Sequence, residues 1–150
     1  MRVRGIEGLR DLAGTTLGPT EWHEVTQDQV NLFADATGDH QWIHTDPERA
    51  ASGPFGATIA HGYLTLSLVI PLWTELLTIE DIGMSVNYGL DKVRFPAPVP
   101  VGGKVRLVAH VEAADPVGEN AVQLTVNLTM ELDGSAKPAV AAQTLYRYHA

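Results

Sequence analysis

GYLTLSLVIPLWTELL, residues Gly62 to Leu77, is apolar nearly all the way round. Tyr63, Leu64, Leu66, Leu68, Val69, Ile70, Leu72, Trp73, Leu76 and Leu77 leave no polar face. Such a run is either one buried helix or a pair of strands. Its length and leucine content favour the helix, and a helix without a polar face is buried on most sides. Pro71 lies inside it and predicts a kink or break there.

The following half of the chain supplies the surface that buries such a helix. Met84, Val86, Tyr88 and Leu90 alternate with Ser85, Asn87, Gly89 and Asp91. Val93 and Phe95 then fall out of phase, which predicts a bulge near Asp91-Lys92. Beyond the proline-rich segment 96–103, Val105 to Val111, Val122 to Met130 and Val140 to Tyr148 read as further strands. Turns are predicted at Asp115–Asn120 and at Asp133-Gly134. Each strand has one apolar face, and the apolar helix is the object that can cover them. The predicted fold is α+β, a curved antiparallel sheet wrapped around a long central helix. At 150 residues it is expected to form a single domain over 1–150.

Residues 1–20 are weakly patterned, with a short helix predicted over Gly5–Leu12 and a first strand over Glu21–Val25. Thr26 to Thr37 predicts a helix: Thr26 caps it, Gln29 completes a capping box, and Asp28 sits in the first turn. Val30, Phe33, Ala34 and Thr37 share one face, and Gly38 suits the left-handed residue that ends many helices. Asp46-Pro47-Glu48 predicts a second, short helix that gives out at Ser52-Gly53-Pro54, followed by an irregular connector over Phe55–Ala60.

The chemistry concentrates between these elements. Asp39 falls just past a helix end, with His44 five residues on. A carboxylate takes protons, an imidazole gives or takes one near neutral pH, and both can grip one water if the loop folds back. An Asp after a helix-ending Gly is also a common turn residue. His61 and Gly62 stand at the start of the apolar helix, where free backbone amides bind polarised oxygens and a glycine admits close approach. For His61 the plain alternative is capping or packing, and for Gly62 it is backbone tolerance. A metal site would draw on Asp39, His40, His44 and His61. Gly38 and Trp42 argue against a helix that would align His40 with His44, so no metal is expected.

The totals exclude several classes. The formal net charge is −8, which disfavours nucleic acid. There is no cysteine, hence no disulfide and no thiolate zinc site, which suits the cytoplasm. MRVRGIEGLRDL lacks the apolar core of a signal peptide, and Tyr63 to Leu77 is too short and too polar to span a bilayer.

FADATGDHQWIHTDPERA (Phe33–Ala50) and FGATIAHGYL (Phe55–Leu64) together resemble the MaoC-like dehydratases, the (R)-specific enoyl-CoA hydratase group. The family pattern is approximately G-D-x-N-P-x-H-x-D…F-G-x-x-I-A-H-G-x-L. Gly38, Asp39, His44, Asp46, Phe55, Gly56, Ile59, Ala60, His61, Gly62 and Leu64 match it. RFPAPVPVGGKV, Arg94 to Val105, is similar to the family's strand-loop-strand segment, and the likeness extends over about residues 20 to 148. The chain departs at Gln41-Trp42, where the family usually has Asn-Pro. Within the family it is most similar to the short single-domain members of mycobacterial type.

The resemblance implies a hot-dog fold and reversible hydration of a trans-2-enoyl-CoA to a (3R)-hydroxyacyl-CoA. Asp39 and His44 would hold the water as catalytic residues. The Gly62 amide would polarise the thioester, and His61, Gln41, Phe55 and Gly56 would line the substrate site. No metal or separate cofactor is implied, CoA being part of the substrate. A homodimer would close the open sheet edge, with the acyl tunnel near the interface. A hot-dog acyl-CoA thioesterase is the alternative, yet that enzyme usually carries its acid on the central helix, and no Asp or Glu occurs from Gly62 to Thr74. A non-catalytic acyl-CoA-binding subunit would have no need of both Asp39 and His44.

Overall fold

Residues 1–150 are described by a computed structural model. The weakly patterned start forms a strand β1 (Arg2–Arg4), a short helix α1 (Gly5–Arg10) and two short strands, β2 (Thr16–Leu17) and β3 (His23–Glu24). Helix α2 (Gln27–Thr37) begins at the Thr26/Gln29 capping box with both reciprocal bonds made, and ends at Gly38 with φ 79°. A one-turn helix α3 (Trp42–Thr45) follows; it begins after His40, so no helix aligns His40 with His44. Its neighbour α4 (Pro47–Ala51) is capped by Asp46, whose side chain accepts from the Arg49 amide.

The central helix is two helices, α5 (Gly62–Ser67) and α6 (Val69–Leu76). The break at Leu68 lies upstream of Pro71 rather than at it. Proline's ring clashes with the carbonyl four residues back and offers it no N–H. That carbonyl belongs to Ser67, the last residue of α5. Burial is also less complete than an all-apolar surface predicts. Leu64, Val69, Leu72, Trp73 and Leu76 are buried, but Tyr63 is 72% and Ile70 37% exposed.

Strand β4 (Thr78–Glu80) pairs in parallel with β1, a two-stranded unit outside the main sheet. The main sheet is built from β5 (Met84–Arg94), β6 (Lys104–Pro116), β7 (Ala121–Leu132) and β8 (Val140–His149). Its order is β2-β6-β7-β8-β5, with β3 also pairing β6, and every pairing is antiparallel. Strand β5 is a free edge. Strand β6 runs on through Asp115 and Pro116, so the turn to β7 is tighter than predicted.

Alternation holds on three strands: alternate residues from Val105 to Val111 and from Val122 to Met130, together with Val140, Ala142, Thr144, Tyr146 and Tyr148, are buried. Helices α1, α5 and α6 pack on the sheet. At that core Trp73 stacks on Tyr146 and donates its indole N–H to the Tyr148 hydroxyl at 2.9 Å. Burial pushes the Tyr148 hydroxyl up to about 12, so it stays protonated and able to donate in turn.

Strand β5 departs from expectation. The predicted bulge is present, with Lys92 at φ 58°, but a second lies between Asn87 and Gly89. Before it, Ser85 and Asn87 pair with Tyr148 and Tyr146 and so face the helices. Met84 and Val86 pair with His149 and Arg147 on the outer face. Each bulge inserts one residue and flips the face, so a regular alternation of residue types does not follow one side of the sheet here.

No helix is long and apolar enough to cross a membrane.

Candidate active site

Helix α2 sets the first component. Its glycine cap turns the chain sharply, and Asp39 emerges with its side chain 54% exposed. The carboxylate Oδ1 accepts only a long bond from the Gln41 amide, at 3.4 Å. Asp39 thus presents a carboxylate that is half exposed and nearly free of partners within the chain.

His44 comes from α3 and is buried. Its Nδ1 lies 2.6 Å from the Ile59 carbonyl oxygen. A carbonyl only accepts, so Nδ1 carries hydrogen, and Nε2 is the acceptor nitrogen of the neutral ring. That Nε2 has no partner within the chain and is not sealed from solvent. The backbone behind it is held from both sides. The irregular connector is stitched in by Ile59 N–H to Ile43 O at 3.0 Å, Ala60 N–H to Val99 O at 2.8 Å and Val101 N–H to Thr58 O at 2.8 Å.

Sequence reasoning missed Gln27. Its Nε2 donates to the His44 carbonyl at 2.8 Å, and its Oε1 accepts from the Thr58 hydroxyl at 2.7 Å. One side chain on α2 thereby ties α3 to the connector. Its partners lie 17 and 31 residues away, beyond the reach of any local pattern.

His61 is 3% exposed. Its ring stacks on His44 with centroids 3.9 Å apart and packs against Phe33 at 4.8 Å. It does not cap α5: its side chain makes no cap bond, and its Nε2 instead donates to the Asp39 carbonyl at 2.9 Å. One donor atom each from Asp39, His44 and His61 lies within 4.8 Å of the others. Segments 22 residues apart in sequence converge here.

The remaining predicted residues divide. Gly62 is the first residue of α5, and its N–H has no acceptor in the chain. A Cβ there would stand 3.0 Å from the Phe95 ring, so the glycine is needed for close packing. Gln41 precedes α3 and touches Asp39 only through its amide. Phe55 is 48% exposed and Gly56 adopts φ 71° in the connector. No hydrogen bond or ring contact joins either to the Asp39–His44–His61 group. His40 points away and pairs with Asp35 at 3.7 Å on the surface. In place of the family's Asn-Pro, Trp42 packs beneath Gly53 and carries Arg49 over its ring at 4.4 Å.

Two clefts of about 340 and 250 Å³ run along the seam between the central helices and β5. They share Ile70, Asn87 and Tyr146. They are mainly apolar, and none of the three site residues lines them.

The MaoC like domain model matches residues 10–131. The chain is 52% identical over 149 residues to 3-hydroxyacyl-thioester dehydratase Z of Mycobacterium tuberculosis, covering 97% of this chain and 99% of that protein. It is 44% identical over 131 residues to nodulation protein N of Rhizobium leguminosarum bv. viciae, covering 86% and 81%. The crystallised (R)-hydratase from A. caviae involved in PHA biosynthesis superposes with a TM-score of 0.69 at 25% identity, covering 89% of this chain and 94% of that one. Sequence motif, sheet-around-helix architecture and near full-length identity all converge, and the chain belongs to the MaoC-like dehydratase family, with its hot-dog fold.

Proposed function

We propose that this protein adds water reversibly to a trans-2-enoyl-CoA, giving the (3R)-hydroxyacyl-CoA. At the coarser level it is a hydro-lyase, a hydratase or dehydratase acting on an acyl thioester, in keeping with its relatives. The observation that carries the finer reading is the convergence of Asp39, His44 and His61 donor atoms within 4.8 Å.

A water between the first two would donate one hydrogen to the Asp39 carboxylate and the other to His44 Nε2, which leaves its oxygen lone pairs free for C3. Asp39 takes a proton as the C–O bond forms, and the alkene electrons move through C2 onto the thioester oxygen. The Gly62 N–H faces that developing charge. The proton then passes from Asp39 to C2 on the same face, while His44 Nε2 keeps its bond to the new hydroxyl. Atoms and charge balance as net addition of one water. The mostly apolar clefts beside α6 suit the acyl chain. We extend the reading to a cytoplasmic homodimer paired along β5. That strand is unpaired on one side, and Tyr63, Tyr88, Leu90 and Phe95 are exposed on it or beside it. Sedimentation at the monomer mass of 16.2 kDa would exclude the dimer.

The decisive experiment is a crotonyl-CoA hydration assay followed by chiral analysis. The expected product is the (3R) isomer, with turnover unaffected by EDTA. A (3S) product, or no loss of enoyl absorbance, would remove the chain from this reaction. Activity abolished by EDTA and restored by zinc would replace the bare acid–base pair with a metal centre.

Gly62→Val keeps the backbone N–H, but its side chain crowds the thioester away from that amide, and turnover should fall about 10²–10³-fold, the usual cost of an oxyanion donor out of reach. Because the new side chain also presses on Phe95, Phe95→Ala is the control. If Phe95→Ala alone reproduces the loss, the amide has no such role.

A further inference from the structure

Asp39 makes three hydrogen bonds, and two of them stay within its own loop. Its N–H meets Thr37 Oγ1 at 3.4 Å and its Oδ1 meets the Gln41 amide at 3.4 Å, both long. The third, from His61 Nε2–H to its carbonyl at 2.9 Å, is the one that ties it to the body of the molecule. The same imidazole lies face to face with His44 at 3.9 Å, its plane tilted by 25°. One ring therefore holds the acid by its backbone and the neighbouring imidazole by its face.

The ring has one nitrogen paired and the other sealed from solvent. Nε2 must carry hydrogen, because the Asp39 carbonyl can only accept. Nδ1 is buried with no partner. Nε2 also stands 4.0 Å from Asp39 Oδ2, too far for a second direct bond. No nitrogen of His61 is both unpaired and open to solvent, so the ring presents no free polar atom to a substrate.

We propose that His61 is a positioning residue that sets the separation of the Asp39 carboxylate and the His44 ring. This rests on reading Asp39 and His44 as the pair that holds the reacting water. A misplacement of about 1 Å can cost about 10²-fold in rate while leaving binding intact, because only the aligned pair reacts.

Two substitutions separate the functions of the ring. His61→Phe keeps an aromatic face against His44 and Phe33 but has no N–H for Asp39. His61→Gln places an amide N–H near the position of Nε2 and gives up the stack. His61→Phe should lower kcat by about 10–10²-fold with KM within about twofold. His61→Gln should recover most of that loss. Amide hydrogen exchange over residues 39–41 should speed up in the Phe variant and return toward the wild-type rate in the Gln variant. A Phe variant with wild-type kcat and exchange overturns the proposal. So does a raised KM at unchanged kcat, which would make His61 a substrate contact. Equal losses in both variants that track their melting temperatures would make it a packing residue. If the Gln variant does not fold, the kcat–KM split and the exchange rates of the Phe variant decide. The exchange readout does not depend on the substrate. Faster exchange in the Phe variant of a protein that hydrates no enoyl-CoA would overturn the proposed reaction and leave the tether standing.

Discussion

Asp39→Asn should yield a fully folded protein that has lost about 10²–10⁴-fold in crotonyl-CoA turnover, the range supplied by a positioned acid or base. The substitution keeps size and shape and replaces the proton-accepting carboxylate with a neutral amide. The fold has little stake in the carboxylate, which is half exposed and accepts one long bond from the Gln41 amide. The bond from His61 goes to the main-chain carbonyl, so it survives the change. Melting temperature should therefore stay close to that of the parent, as for most surface substitutions. Near wild-type turnover in a folded Asp39→Asn protein would take Asp39 out of the mechanism.

His44→Ala should cost a similar factor, about 10²–10⁴, but with a loss of stability as well. Truncation leaves the Ile59 carbonyl without its donor in a buried setting, worth about 1–3 kcal/mol, and removes the ring on which His61 rests. His44→Asn separates the two effects. Its amide N–H sits near the position of Nδ1 and can still meet Ile59, while nothing replaces Nε2. Turnover should remain low in the Asn variant as stability recovers. His40→Ala is the contrast: that side chain is exposed, turned toward Asp35, and should leave turnover unchanged. A protein more damaged by the loss of His40 than of His44 would show that the wrong histidine has been assigned.

These two results test residues already visible in the linear chain, and the reason they were visible is local. A capping box, a helix-ending glycine and an Asp-Pro pair act through neighbours within four residues. The capped start at Thr26, the Gly38 stop that delivers Asp39 and the Asp46 cap therefore all appear where the residue types demand. Period-two alternation likewise marks β6, β7 and β8, because side chains on a strand must take opposite faces. The motif residues from Gly38 to Leu64 add the family, which identity over nearly the full length supports.

What lay beyond the linear pattern depends on distant partners. The phase of β5 is set by two bulges whose register is defined against β8, 47 to 65 residues away, so its alternation misstates which side faces the helices. The helix break at Ser67–Leu68 is local by contrast: Pro71 predicts a kink or break, and its backbone geometry places that break one turn upstream. His61 reads in sequence as a cap or packing residue, and becomes a bridge only when α2 and the start of α5 meet. Gln27 gives no sign of its bonds to His44 and Thr58. Residue types and short spacings thus determine the elements, the acid and the imidazole. The distance and orientation between those two groups come from long-range hydrogen bonds and ring stacking, which exist only once the chain has folded.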